Sequence, residues 1–201
     1  MPSLVGSEMC IRDRILIALG QKKMFKRPIP ALLHLMVYAG FLIVNIELLE
    51  IVLDGLLGTH RLFAPMLGSF YPFLINFFEF FAVAVLVSCV IFLIRRNVLK
   101  ITRFHKPEMS SWAKLDANII LIAEILLMFF LLSMNATDTL IQQSKGIEQA
   151  FFFSDFLLPL YQGISTEGLV IAARSFWWIH ILGIFAFANF IPSLHYSYHS
   201  L

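Results

Sequence analysis

Four runs of about 20 predominantly apolar residues, each long enough for a helix to cross roughly 30 Å of hydrocarbon, constrain this chain more than any other feature. They lie near Ala31–Leu53, Tyr71–Ile94, Leu115–Met134 and Phe176–Ile191. A bilayer interior offers no water to backbone N–H and C=O groups, so each run must satisfy its own backbone as a helix. The sequence therefore predicts an all-α fold, an integral membrane helical bundle with four transmembrane helices. Composition agrees: 59% of the 201 residues are hydrophobic and 14% charged, against about 25% charged in an ordinary soluble domain. High hydrophobicity excludes disorder. A net charge of +2 without a basic stripe excludes a nucleic-acid partner. Two cysteines are too few for a disulfide framework, a four-cysteine zinc site or an iron–sulfur cluster.

A fifth apolar stretch, Ala150–Tyr161, is too short to cross, and its Ser154, Asp155 and Pro159 mark it as an interfacial or re-entrant segment. Lys22, Lys23, Lys26 and Arg27 precede the first span, and Arg95, Arg96, Lys100, Arg103, Lys106 and Lys114 separate the second from the third. Positive charge stays on the cytoplasmic side. Both termini are thus expected in the cytoplasm, with Asp54–Phe70 and Asn135–Ser175 as outward loops. Residues 1–14 read as non-native, adapter-derived sequence, leaving Cys10 without relevance. Residues 15–30 form a basic lead-in, 31–192 the transmembrane domain and 193–201 a doubtful tail. On this reading the chain is a fragment open at both ends.

Ionisable groups within a span cost roughly 2.5–3.5 kcal/mol each at the centre on insertion scales, so each calls for a reason. The first span carries His34, Tyr38 and Asn45 on one helical face and Glu47 and Glu50 on the other, followed by Asp54. A helix polar on two sides is expected in the middle of a bundle. Glu79, Asp116, Glu124, Asn135, His180 and Asn189 add polar groups to the other spans. Asn45, Asn76, Asn118 and Asn189 read as hydrogen-bonding groups between helices or to backbone. Glu79 and Glu124 read either the same way or as part of a proton path or quinone contact. Cys89 reads as packing, and His105 as a solvated loop residue.

The histidines carry more information. His34 and His60 flank the first span, and His180 and His199 (with His195) flank the last. In the last segment the separation is 199 − 180 = 19 residues, roughly 28 Å as a helix. Facing histidine pairs, one per leaflet, are what bis-histidine ligation of two b-type haems requires. Gly183 and Ala186 leave room for a macrocycle or for ordinary helix packing. The alternative is a set of interfacial histidines bonding headgroups and backbone.

Leu33-His34-Leu35-Met36-Val37-Tyr38-Ala39-Gly40-Phe41 and Trp177-Trp178-Ile179-His180-Ile181-Leu182-Gly183 resemble the membrane cytochrome b of the respiratory nitrate reductase gamma type. Closer still is the membrane domain of heterodisulfide-reductase-like iron–sulfur oxidoreductases. That second group is matched further at Glu47-x-x-Glu50-Ile51-Val52-Leu53-Asp54-Gly55, Gly58-Thr59-His60-Arg61, Phe92-Leu93-Ile94-Arg95-Arg96-Asn97 and Asp116-Ala117-Asn118. The resemblance covers roughly Ile15 to Pro192. It implies a five-span bundle holding two haems b, exchange of electrons with menaquinol or another quinone, and a cytoplasmic domain with 4Fe-4S clusters following the last span.

The sequence departs from that pattern in two places. Position 44, where the gamma type has a second histidine, is Val. Position 198, five turns beyond His180, is Tyr, with His199 one residue late. The resemblance thus carries over onto His34 and His180 as haem-iron ligands, with His60 and His199 as further candidates. Glu47, Glu50 and Asp54 are candidates for proton exchange with a quinone, because a carboxylate partly withdrawn from water can hold and release a proton near neutrality. The alternative for these three is pairing with Arg61 or Arg174. The expected function is a haem b electron-transfer module between quinol and cytoplasmic clusters, in the cytoplasmic membrane. The competing class is a redox-inert membrane protein, a transporter or assembly subunit, using the same carboxylates as a proton or substrate path.

Overall fold

The structure, a computed structural model, describes residues 28–99, 111–146 and 151–199, with side chains placed for 28–99, 115–146 and 151–189. Four long helices dominate it: α1 (Pro28–Leu57), α2 (Tyr71–Asn97), α3 (Ser111–Ser144) and α4 (Thr166–His199). All four are long and apolar enough to cross a membrane, so the chain is a multi-pass membrane protein. At 1.5 Å per residue, their 30, 27, 34 and 34 residues make rods of roughly 40–51 Å. That exceeds the hydrocarbon thickness, so the helices tilt or extend past it.

Local chemistry sets the boundaries. Pro28 and Pro30 open α1, and Pro72 sits in the first turn of α2, where a missing N–H costs nothing. Gly58 ends α1 at φ +67°, the left-handed position that a helix terminus favours. Arg95 and Arg96 complement the dipole at the end of α2. Between α1 and α2 the chain makes a short helix, Ala64–Leu67, and a 3-10 turn, Gly68–Phe70. Between α3 and α4 lie a 3-10 turn, Ser154–Leu157, and a single helical turn, Leu158–Tyr161. Among the described residues, 151–161 therefore form no helix long enough to cross.

The main pairings are α1 with α2, α2 with α3, and α3 with α4. Their common core holds Val44, Ile51, Ala82, Val85, Cys89, Leu127, Leu131 and Ile181. Two glycines permit close approach. A Cβ on Gly40 would run into Val85 of α2, and one on Gly55 would run into the Trp177 ring of α4.

Two expectations need correction. α3 runs ten residues past Met134, and α4 starts ten residues before Phe176, so much of the expected outward loop Asn135–Ser175 is helix. Counting apolar residues misses the α3 extension because Asn135, Thr137, Thr139 and Gln142 are polar but face inward and are buried. Ser165, whose hydroxyl accepts the Gly168 N–H at 3.2 Å, caps the early start of α4. Nor is α1 surrounded by the other described helices: Phe41, Leu42, Ile46 and Leu49 are all more than half exposed. Asn45 needs no neighbouring helix, since its amide donates to the carbonyl of Phe41 one turn back. Asn76, Asn97 and Asn189 bond the same way, to Pro72, Leu93 and Phe185.

Candidate functional site

Two features stand out, a cavity at mid-bundle and a buried polar cluster towards the end where α1 meets α2. The cavity, of about 330 Å3, is bounded by all four helices. That volume is at the small end of ligand sites, which run to roughly 300–1,000 Å3. Its wall is apolar, with Val37, Val44, Val85, Leu127, Met128 and Ile184, and is broken by five polar side chains: His34, Tyr38, Asn45, Glu124 and His180.

His180 is 1% exposed. Its Nδ1 lies 2.9 Å from the Leu127 carbonyl, which can only accept, so Nδ1 carries the hydrogen. Nε2 is then left with a lone pair, is buried, and has no hydrogen-bond partner. A buried polar atom without a partner costs about 1–3 kcal/mol, so it calls for an explanation. An imidazole tied through one nitrogen to a backbone carbonyl, with its other nitrogen bare, has the hydrogen-bonding pattern of metal-ligating histidines. Gly183, one turn on, lets Leu127 pack closely beneath it.

The structure thus brings His34 and His180 to one cavity. The sequence placed His180 near the outer end of its helix. With α4 starting at Thr166, it lies 180 − 166 = 14 residues in, roughly 21 Å from that end. His60 is elsewhere: its Nε2 sits 3.0 Å from Asp138, and its side chain is 56% exposed. The side chains of His195 and His199 lie outside the described residues, as do His105, Cys10 and the whole of residues 1–27. Among the described residues no group of three or more His, Cys, Asp or Glu is arranged around a metal-sized space. A haem needs only one or two axial side chains from the protein.

The polar cluster is organised around Arg61, at φ +57° a rare left-handed non-glycine residue. Its guanidinium donates to Asp138 at 3.0 and 3.3 Å, reaches Tyr71 Oη and Asn135 Oδ1 at 3.4 and 3.5 Å, and lies over the Phe151 ring. Burial works against this charge, but Asp138 and Tyr71 together more than offset it and hold the guanidinium above its ordinary pKa.

The three carboxylates singled out by sequence divide here. Asp54 accepts the Thr59 hydroxyl at 2.7 Å and the backbone N–H groups of Arg61 and Leu62 at 2.7 and 3.1 Å. Glu50 accepts the Phe63 N–H and the Tyr71 O–H, both at 2.9 Å. Both acids therefore shape the 59–63 turn through its backbone rather than through the Arg61 side chain. Glu47, 3% exposed, instead keeps Oε2 without a partner. Glu79 is fully engaged, by Asn135, by the Ser154 hydroxyl and by two backbone N–H groups. Asn118 pairs with Asn97 across α2 and α3.

Sequence reasoning missed Asp138, the hub that binds His60, Arg61 and Gln142. The signal was present: Asn135, Asp138 and Gln142 recur at the three- and four-residue spacing of one helical face. Reading the stretch as loop hid it. The Leu127 carbonyl, a backbone group, has no sequence signature at all.

Compared with curated proteins, the chain is similar to the probable iron–sulfur-binding oxidoreductase FadF of Bacillus subtilis (strain 168), 24% identical over 179 residues. The match covers 89% of this chain and 24% of the relative, so the chain spans about a quarter of that protein's length. No family model matches, and no solved structure does. The likeness supports a broad relationship to an iron–sulfur-binding oxidoreductase.

Proposed function

We propose that this chain is the membrane-embedded electron-transfer part of a quinone-linked iron–sulfur oxidoreductase, with haem b in the mid-bundle cavity. The observation that carries the reading is the bare, buried Nε2 of His180 at the cavity wall, its ring fixed by the Leu127 carbonyl. His180 would hold the haem iron, with His34 as the candidate second ligand. Bound haem supplies one-electron redox chemistry in a site shielded from water.

The chain's own residues do the rest. Leu127 orients the His180 ring and fixes which nitrogen is free, while Val37, Val44, Val85 and Ile184 exclude water. Of the three carboxylate candidates for proton exchange with menaquinol or another quinone, Glu47 is favoured, because Glu50 and Asp54 are occupied by backbone donors. With two cysteines in the whole chain, the 4Fe-4S clusters would sit in another domain or subunit. The excess of Lys and Arg before α1 and between α2 and α3 supports a cytoplasmic location for those segments, both termini and that partner, with the bundle in the cytoplasmic membrane.

A second reading, a redox-inert bundle that moves protons or a small substrate, is favoured by the partnerless Glu47 oxygen. A reduced-minus-oxidised spectrum of the membrane-expressed protein, joined to whatever flanking sequence its native gene encodes, separates the two. The expected result is a b-type α-band that His180→Ala abolishes and His34→Ala abolishes or shifts. Absence of haem from that intact protein overturns the redox reading and leaves the inert bundle.

A further inference from the structure

Residues 151–164 hold one charged side chain, Asp155, and expose Phe152 (67%), Phe156 (76%) and Leu160 (64%), while Phe151 and Ser154 are buried at 4% and 0%. Three large apolar side chains in water on a turn of this size would be a cost with no return. Their surroundings say what covers them. Phe70, Phe73, Phe77, Phe81, Phe80, Phe153 and Phe152 form a continuous series of ring contacts, with centroids 5.0–6.2 Å apart, along the outward face of α2. That face belongs to a helix long and apolar enough to cross a membrane, and the ring series extends it onto Phe153 and Phe152.

Depth follows from α2. Arg95 and Arg96 mark one headgroup level. Thirty ångströms of hydrocarbon is about 20 residues of helix, which puts the opposite boundary near position 75. Glu79 then lies four residues, about 6 Å, inside the hydrocarbon. The backbone bonded to it lies at the same depth, and irregular backbone survives there only if its donors are satisfied. They are. Asn76 accepts the Phe152 N–H at 2.8 Å, and Glu79 accepts the N–H groups of Phe153 and Ser154 at 3.1 and 3.4 Å. The carbonyls of Phe151 and Phe153 take the next two N–H groups, both at 3.2 Å.

We infer that residues 151–161 form a segment embedded in the outer few ångströms of the acyl chains, presenting Phe152, Phe156 and Leu160 to lipid, and that Glu79 is its anchor. Asp155 limits the depth, keeping the turn near the interface instead of the bilayer centre. This assignment is independent of haem.

The test uses spin labels at Phe156→Cys and Leu160→Cys in a Cys10→Ser, Cys89→Ala background, reconstituted in phosphatidylcholine vesicles. Collision with oxygen, which concentrates in lipid, is compared with collision with a water-soluble nickel chelate. Oxygen should dominate at both positions by several-fold. Adding Glu79→Ala should raise chelate access at Phe156→Cys several-fold, while Glu79→Gln, which keeps an acceptor oxygen, should raise it less. Chelate dominance in the parent background overturns the lipid assignment, and a label immobile and closed to both probes overturns it in favour of a protein partner. Oxygen dominance unchanged by Glu79→Ala overturns the anchor role.

Discussion

Replacing Asp138 with Leu removes the only carboxylate bonded to the Arg61 guanidinium among the described residues. Both side chains are nearly buried, at 12% and 14% exposure. Breaking a buried ion pair from one side typically costs about 3–5 kcal/mol, because the surviving charge is left uncompensated. Arg61 would keep its long contacts to Tyr71 and Asn135 and its position 4.7 Å from the Phe151 ring centroid. These contacts exist before and after the change and cancel, so the expected loss is about 4 kcal/mol, a factor of about 1,000 in the folding equilibrium. Removing both charges, as Asp138→Leu with Arg61→Met, should restore stability to within about 1 kcal/mol of the parent, since the desolvation of both ions is then avoided. Reversible unfolding in mixed micelles, titrated with dodecyl sulfate and followed by far-ultraviolet circular dichroism, measures all four corners of the cycle. A double variant as unstable as Asp138→Leu alone would refute the reasoning and make Asp138 a hub for His60 and Gln142 instead of a counter-ion.

Gly55→Leu drives a side chain into the Trp177 ring, and overpacking of this kind costs about 1–3 kcal/mol. A shift in tryptophan emission with lowered stability is the expected readout. Glu50→Leu strands the Phe63 N–H and the Tyr71 O–H, at about 1–3 kcal/mol per buried orphan. Glu50→Gln should lose less, and Glu47→Gln, which breaks no Oε2 bond, should leave the unfolding midpoint nearly unchanged. Asn97→Leu removes the reciprocal bonds to Asn118 at 3.0 and 3.4 Å. The pair is exposed and lies past the Arg95–Arg96 level, so the same titration should show a loss of at most about 0.5–1.5 kcal/mol.

The helices themselves were legible because a run of 20 apolar residues has one stable answer in lipid. Their ends were not. The continuation Asn135–Ser144 looks like loop until neighbouring helices are present to receive its polar side chains, and Thr166–Ser175 is interrupted by Glu167, Gly168 and Arg174. His34 and His180 could be singled out by residue type and position, but their meeting at one cavity could not, since α3 and α4 place His180 four turns into its helix. The carboxylates show the same divide. Sequence grouped Glu47, Glu50 and Asp54, whereas the backbone donors of the 59–63 turn, which separate Glu47 from the other two, depend on a left-handed Arg61. Backbone groups carry no identity in a sequence, so bonds to them stay hidden until the chain is folded.

The cluster at the junction of α1 and α2 also bears on how the chain is made. Arg61 waits for Asp138, which is 77 residues later, and Glu79 waits for Phe153 and Ser154, which are 74 and 75 residues later. A ribosome delivers these partners well after the first hairpin has left it. The α1–α2 hairpin therefore enters the bilayer with a guanidinium and a carboxylate still lacking these partners. α3 and the turn behind it therefore complete the hairpin as much as they extend the bundle.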